Sequence, residues 1–203
     1  MEIDTVLFDL AGVVCHFRPE RRLHALAAKC GRTAAEVERT LYGGGIIDMA
    51  DDGRLDRAGL ENRLRAELNL TVPRNELERL WVSAFDPDTA VLALVHRLRP
   101  VAALGLLTNN DALLSEALPI YLPETTEPFD ALLFSGVLKV RKPAVTAYRK
   151  ALAILGREPA RTLFIDDSAQ NVEGAQDAGL TAIRFTGADD LAAELRRLGL
   201  LTA

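Results

Sequence analysis

The sequence has few cysteines, no excess of basic residues and no long apolar run. Cys15 and Cys30 are the only cysteines among the 203 residues, which argues against a disulfide framework and fits a reducing compartment. The 24 basic and 29 acidic residues give a formal net charge of −5, which provides no general attraction to nucleic acid or to anionic membranes. We therefore expect a cytoplasmic protein without a nucleic-acid partner.

Apolar residues make up 49% of the chain, but they occur in short runs. None of these runs approaches the roughly 18 residues that a transmembrane helix needs. The first ten residues include Glu2 and Asp4 and no basic cluster, so they do not predict a secretory signal. We expect no membrane partner, and the absence of a sustained heptad pattern leaves the oligomeric state open.

The short apolar runs alternate with segments of helical periodicity, a pattern typical of βα units around a parallel sheet. Strands are predicted at residues 3–10, 101–107, 131–134, 162–165 and 181–185. Asp86 and Pro87 are predicted to begin one helix as N-cap and first residue, and Pro143 to begin another. The sequence therefore predicts an α/β fold whose core is a Rossmann-like parallel sheet.

Residues 15–85 have a helical pattern and no strand signal. Four helices are expected there from their end signals and apolar stripes: Pro19 and Gly31, Thr33 with Glu36, Asp56 with Leu60, and Leu77 with Trp81. We predict a four-helix cap domain inserted after the first strand, with residues 1–14 and 86–203 forming the core domain.

Polar side chains follow four of the predicted strands at their carboxyl ends, where open α/β sheets bind ligands. These residues are Asp9 near the end of the first strand, Thr108, Asn109 and Asn110 after the second, Lys139, Arg141 and Lys142 after the third, and Asp166 and Asp167 after the fourth. Alone, each group is a common turn or helix-capping signal. Together they supply the carboxylates, hydroxyl and cation needed to hold Mg²⁺ and a phosphoryl group.

The segments that carry these residues resemble the four motifs of the haloacid dehalogenase-like superfamily. FDLAGVV resembles the first motif, LLTNN the second, VRKPAVTAY the third and FIDDSAQNVEGAQDAGL the fourth. The position of the helical insert is that of the cap in the subfamily of sugar phosphatases and dehalogenases. The sequence is most similar to its sugar-1-phosphate phosphatase and epoxide hydrolase N-terminal phosphatase branch.

The resemblance implies a Mg²⁺-dependent phosphatase that acts on a small phosphorylated metabolite, with a sugar phosphate as one candidate. It implies that Asp9 is the nucleophile and that Thr108 and Lys142 complete the catalytic set. The residues expected to contact the substrate phosphate are Thr108, Asn109 and Lys142. The implied Mg²⁺ ligands are Asp9, the Ala11 carbonyl, Asp166 and Asp167.

Ala11 departs from the family's commonest phosphatase pattern, which has a second aspartate two residues after the nucleophile. That aspartate protonates the leaving group and then activates water, and alanine does neither. General acid–base catalysis contributes typically about 10²–10⁴-fold to a rate. Turnover would be retained in one of three ways. Another residue such as His16 supplies the proton, a water molecule supplies it, or the substrate has a good leaving group that needs no proton.

Two other functions remain open from the sequence. A 2-haloacid dehalogenase uses the same aspartate nucleophile without a metal, but the carboxylates of Asp166 and Asp167 disfavour it, because carboxylates near Asp9 repel one another without a cation. A non-catalytic phosphate-binding protein on the same scaffold is the second alternative, and Ala11 is the observation that favours it.

Overall fold

The computed structural model describes residues 2–202, which contain seven strands. The strands are β1 Thr5–Phe8, β2 Cys15–Phe17, β3 Phe85–Pro87, β4 Ala103–Thr108, β5 Ala131–Phe134, β6 Thr162–Asp166 and β7 Thr181–Arg184. Five of them form one sheet in the order β5-β4-β1-β6-β7, and every neighbouring pair in it is parallel. The predicted α/β fold with a parallel sheet is therefore confirmed.

Helices account for most of the remaining described residues. They are α1 Pro19–Cys30, α2 Ala34–Glu38, α3 Ile46–Asp51, α4 Arg57–Leu68, α5 Arg74–Val82, α6 Thr89–Leu98, α7 Ala112–Tyr121, α8 Ser135–Leu138, α9 Val145–Leu155, α10 Ala169–Asp177 and α11 Ala188–Arg197. A π-helical turn, Arg39–Gly43, lies between α2 and α3. Among residues 2–202, no helix is both long and apolar enough to cross a membrane.

The central strands are buried on both faces, which explains their almost continuous apolar sequence. In β1, Val6 and Phe8 belong to the larger hydrophobic cluster, whereas Leu7 belongs to a second cluster on the opposite face. Tyr148 and Phe164 of that second cluster pack edge to face, with ring centroids 5.2 Å apart. Burial of both faces fixes the register of the strands and therefore the positions of the residues at their ends.

The four helices predicted between residues 15 and 85 correspond to α1, α2, α4 and α5. Gly31 ends α1 in a left-handed conformation with φ of 67°. Thr33 and Glu36 form the predicted capping box of α2, and the Asp56 carboxylate accepts a hydrogen bond from the Gly59 N–H at the start of α4. The structure adds the π-helical turn and α3 between the second and third predicted helices.

Two local predictions are wrong because of a ribbon that joins the two ends of this helical segment. Strand β2 pairs with β3, so the segment does contain a strand, and Asp86 lies opposite His16 in that pairing. The N-cap of α6 is consequently Asp88, whose carboxylate accepts hydrogen bonds from the Ala90 and Val91 N–H groups.

The prediction that a helix begins at Pro143 is also wrong, because α9 begins at Val145. The reason lies in the neighbouring loop. The Asn109 side chain donates to the Lys142 carbonyl oxygen at 2.9 Å and accepts from the Lys142 N–H at 2.9 Å. These two hydrogen bonds hold the backbone of Lys142 in the loop that precedes α9.

Candidate active site

Four of the predicted site residues meet at the carboxyl edge of the sheet. Asp9 directly follows β1, which lies between β4 and β6 in the sheet. Asp166 ends β6 and Asp167 follows it, so both lie beside Asp9. Lys142 comes from the loop before α9 and reaches the same point. The parallel arrangement of the strands is what gathers these residues, which are far apart in the sequence.

Lys142 is the centre of the hydrogen-bond network. Its ammonium nitrogen lies 2.7 Å from Asp9 Oδ1 and 2.7 Å from Asp166 Oδ2, and it donates to the Leu107 carbonyl oxygen at 2.8 Å. These contacts use all three of its donors. The Lys142 side chain is 1% exposed and that of Asp166 is fully buried, so each buried charge has the partner that it requires.

Asp166 is held by two further donors. The Ser168 N–H donates to Asp166 Oδ1 at 2.9 Å, and the Asn171 side-chain amide donates to the two carboxylate oxygens at 3.0 and 3.1 Å. Tyr148 in turn donates its hydroxyl proton to the Asn171 carbonyl oxygen at 2.6 Å. Asn171 was not predicted as a site residue from the sequence, although its place three residues after the N-cap Ser168 puts it in the first turn of α10.

Asp9, Asp166 and Asp167 form a carboxylate cluster. Each offers one oxygen, and the three oxygens lie within 4.8 Å of one another, a spacing suited to a divalent cation with oxygen ligands. Gly12 permits this arrangement. Its φ is +90°, and a Cβ at this position would lie 2.3 Å from Asp167 Oδ2. Glycine therefore allows the backbone after Ala11 to approach Asp167.

Burial raises the pKa of Asp9 to about 6. Lys142 opposes this change by stabilising the carboxylate, whereas the neighbouring charge of Asp166 adds to it. If fully ionised, the three carboxylates and one ammonium have a net charge of −3 + 1 = −2. A divalent cation would neutralise that charge, so the donor set fits such an ion.

Thr108 and Asn109 occupy the end of β4, on the other side of Asp9. The Thr108 hydroxyl accepts a hydrogen bond from the Asn110 side-chain amide at 2.7 Å, which leaves its own proton available to an oxygen of a ligand. The Asn109 side chain is instead engaged with the Lys142 backbone. The side-chain amide has two N–H donors, so these bonds use one of them and leave the second available to a ligand.

A cavity of about 290 Å³ opens between this edge of the sheet and the helical segment. From the sheet side it is lined by Ala11, Asn109, Asn110, Asp111 and Arg141; from the helical side by Phe17, Arg22, Tyr42, Ile47, Asp48 and Asp51. A larger groove of about 810 Å³ lies at the start of α4. Neither cavity is lined by the clustered carboxylates, but the smaller one is lined by Ala11, two residues after Asp9, and by Asn109, next to Thr108, so it is the one beside the candidate site.

Arg22 lies in this cavity, whereas Arg18 and Arg21 nearby in the sequence do not. Arg22 is 4% exposed, its Nε donates to the Trp81 carbonyl oxygen at 2.8 Å, and its guanidinium lies 4.2 Å from the Trp81 ring centroid. Arg18 and Arg21 are instead exposed and contact Asp86.

His16 and Cys15 do not take part in the cluster. His16 lies on β2 with a side chain that is 55% exposed, 3.6 Å from Asp88, and it is not among the residues that line the cavity. Cys15 is buried, and burial raises the pKa of its thiol to about 12. This thiol stays protonated at neutral pH, which is unsuited to a nucleophile.

Comparison with known proteins identifies the family. The model of haloacid dehalogenase-like hydrolases matches residues 3–179. The chain belongs to this family. It is also 33% identical to Phosphatase MT3486 of Mycobacterium tuberculosis over 190 residues, which are 90% of this chain and 87% of that protein. The protein is therefore a hydrolase of the haloacid dehalogenase-like family.

Two solved structures share this fold at low sequence identity. HAD family enzyme bt-2542 from Bacteroides thetaiotaomicron superposes with a TM-score of 0.78 at 22% identity, covering 97% of this chain and 100% of that one. The same enzyme is known in complex with magnesium and inorganic phosphate. L-2-haloacid dehalogenase from Xanthobacter autotrophicus superposes with a TM-score of 0.63 at 23% identity, covering 98% and 85% of the two chains.

Proposed function

We propose that this protein is a Mg²⁺-dependent phosphatase that hydrolyses a small phosphorylated metabolite, with sugar phosphates among the candidates. The observation that carries the proposal is the carboxylate cluster of Asp9, Asp166 and Asp167, which the single ammonium of Lys142 does not neutralise. The similarity to a mycobacterial phosphatase supports the same activity. The magnesium and phosphate complex of a structural neighbour supports the same cofactor.

The proposed ligands of Mg²⁺ are Asp9, Asp166, Asp167 and the carbonyl oxygen of Ala11. When bound, Mg²⁺ neutralises charge on the phosphoryl group and favours its approach to Asp9. Lys142 stabilises the Asp9 carboxylate and contributes a positive charge beside the anionic substrate. Asn171 and Ser168 hold Asp166 in place through the hydrogen bonds described above.

The proposed reaction has two steps. Asp9 attacks phosphorus and displaces the leaving group, which forms an aspartyl-phosphate. Water then attacks phosphorus and releases phosphate, which restores the Asp9 carboxylate. The Thr108 hydroxyl and the Asn109 backbone bind phosphoryl oxygens, and residues 15–85 form the cap that excludes bulk water and selects the leaving group.

A metal-independent 2-haloacid dehalogenase is the second candidate. The absence of an acidic side chain at Ala11 and the similarity to the Xanthobacter dehalogenase favour it. The excess negative charge of the cluster argues against it, because repulsion between Asp9 and its neighbours would oppose attack by Asp9 on an anionic haloacid in the absence of a cation.

The test is phosphate release from p-nitrophenyl phosphate, acetyl phosphate and a panel of sugar phosphates, with Mg²⁺ or with EDTA. We expect Mg²⁺-dependent release that Asp9→Asn abolishes. Asp189→Asn is the matched control, because Asp189 is exposed at the start of α11, and it retains the activity. Release of halide from 2-chloropropionate with EDTA present would instead establish the dehalogenase. A protein that binds phosphate but releases neither product would be non-catalytic.

A further inference from the structure

The cavity beside Ala11 contains few groups that can donate a proton to a leaving group. Its acidic residues are Asp48, Asp51 and Asp111. The Asp48 side chain is 66% exposed and pairs with Arg141. The Asp111 carboxylate accepts hydrogen bonds from the Trp81 indole N–H and the Leu114 N–H, both at 2.8 Å, so it is committed to holding α5 and α7.

Asp51 differs from both. It is only 8% exposed, yet no hydrogen bond to its carboxyl group is found among residues 2–202, and its nearest cationic atom is Arg141 Nη2 at 3.9 Å. Buried carboxyl groups normally have hydrogen-bond partners. A buried carboxyl that faces a cavity without such a partner is available to a ligand in that cavity.

The backbone of Asp51 is fixed against the sheet. Ser135, which directly follows β5, donates its hydroxyl proton to the Asp51 carbonyl oxygen at 2.7 Å. The adjacent Gly136 packs so closely that a Cβ there would lie 2.7 Å from the Ala50 carbonyl oxygen and 2.9 Å from the Asp111 Cα. The end of α3 is therefore positioned by the residues that follow β5 and β4, and β4 is also the strand that ends at Thr108.

We propose that Asp51 is the general acid–base residue of this enzyme, acting from the helical segment in place of the side chain that Ala11 lacks. The inference rests on the proposed phosphatase function. In the first step Asp51 gives its proton, directly or through one water molecule, to the leaving-group oxygen as the P–O bond to that oxygen breaks. In the second step the Asp51 carboxylate takes a proton from the water that attacks phosphorus, which regenerates the acid.

The surroundings of Asp51 suit both roles. Burial raises its pKa to about 7, and the negative charges of Asp111 and Asp48 act in the same direction, whereas the positive charges of Arg141 and Arg22 lower it. A group with a pKa near neutrality is present in both protonation states at neutral pH, which is the condition for efficient proton donation and acceptance.

The phenol of Tyr42 also faces this cavity, but burial raises its pKa above the ordinary value of 10, and the Asp51 charge adds to that rise. Tyr42 therefore does not lose its proton at neutral pH and is less suited to activate water.

The test compares kcat/KM of the Mg²⁺-loaded full chain for two leaving groups. Alkoxide departure from glycerol phosphate needs a proton, whereas p-nitrophenolate departs without one. We expect Asp51→Asn to lower kcat/KM for glycerol phosphate by about 10²-fold or more and for p-nitrophenyl phosphate by only a small factor. Asp189→Asn, at an exposed position outside the cavity, serves as the matched control and leaves the ratio of the two unchanged.

The pH profile separates proton transfer from a structural role. In the wild type, kcat/KM for glycerol phosphate decreases as the pH rises through about 7, while Asp51→Asn lacks this decrease. If Asp51→Asn lowers kcat/KM equally for both substrates, or does not lower it for glycerol phosphate, the proposed role of Asp51 is wrong. Absence of Mg²⁺-dependent turnover of p-nitrophenyl phosphate by the wild type would instead refute the phosphatase function itself.

A measurement on the wild type applies even if Asp51→Asn does not fold. The slope of log kcat/KM against leaving-group pKa across substituted phenyl phosphates is expected to be shallow at pH 6, where Asp51 is protonated, and steeper at pH 8. A slope that is the same at both pH values would contradict the proposal.

Discussion

Lys142 and Asp9 form a buried ion pair, with Nζ 2.7 Å from Oδ1 and side chains that are 1% and 10% exposed. The same ammonium contacts Asp166 at 2.7 Å. One cation therefore separates two buried carboxylates that would otherwise repel each other, while it places the proposed nucleophile beside the proposed metal ligands.

Removal of this cation is expected to destabilise the fold. Lys142→Met leaves Asp9 and Asp166 buried without their partner, which costs about 3–5 kcal/mol of unfolding free energy. Urea denaturation in EDTA at pH 8 measures this loss. Lys139→Met in the exposed neighbouring position is the control and changes stability by less than about 0.5 kcal/mol. Equal stability of the two variants would show that the ion pair is not needed for folding.

Gly12 is expected to be essential for metal binding. Gly12→Ala places a Cβ 2.3 Å from Asp167 Oδ2 at a φ of +90°, so Asp167 or the backbone must move away. We expect Mg²⁺ affinity, measured by calorimetry, to fall at least tenfold while the circular dichroism spectrum is retained. Gly43→Ala, where nothing lies within 4 Å of the added Cβ, is the control. Unchanged affinity in Gly12→Ala would remove Asp167 from the proposed ligands.

Asn171 is expected to act through Asp166 rather than through the substrate. Asn171→Ala removes two hydrogen bonds to the Asp166 carboxylate, and the loss of such a partner typically lowers metal affinity or activity about 10–100-fold. A titration of activity with Mg²⁺ measures the effect. Asn75→Ala, at an exposed position in α5, tests for unspecific effects of the substitution. A normal Mg²⁺ titration in Asn171→Ala would contradict the positioning role.

Asp51 is expected to make stability depend on pH. Its pKa is about 7 in the folded protein and about 3.9 in an unfolded chain, so between these values the folded state binds a proton that the unfolded state has lost. The contribution of Asp51 to the free energy of unfolding is therefore full below pH 4 and is lost as the pH rises to about 7.

Asp51→Asn removes this dependence, so its stability relative to the wild type is expected to be greater at pH 8 than at pH 5. Urea denaturation at both pH values in EDTA provides the measurement, and Asp189→Asn, at an exposed position whose charge does not act on Asp51, is the control. If the free energies of unfolding of Asp51→Asn and wild type differ by the same amount at pH 5 and at pH 8, Asp51 has an ordinary pKa.

Strand ends and several helix caps were predictable from the sequence because their signals are local. The residues at the ends of β1, β4 and β6 follow apolar runs, and the capping box of Thr33 and Glu36 lies within four residues. Parallel pairing then brings those strand ends together, so the sequence was enough to predict that Asp9 lies near Asp166.

The β2–β3 ribbon had no comparable local signal. Its strands have three residues each and pair across almost 70 positions, as in Phe17 with Phe85. Long-range pairing of this kind depends on how the helices between the two strands pack, which sequence periodicity does not report.

The cavity side chains were missed for a different reason. Arg22 and Asp51 are charged, and charged residues are almost always exposed unless they are paired. Arg22 does share a helix face with the buried Leu26, four residues later, so helical spacing could have indicated its burial. Nothing in the sequence around Asp51 distinguishes it from the exposed Asp48.

The most direct test of the proposed mechanism is to trap the covalent intermediate. The protein would be mixed with acetyl phosphate and Mg²⁺, quenched in acid and digested, and its peptides weighed by mass spectrometry. The mechanism predicts one added phosphoryl group on the peptide that contains Asp9, absent with EDTA and absent in Asp9→Asn but retained in Asp189→Asn. Release of phosphate with no phosphoryl group on Asp9 at any time during turnover would contradict it.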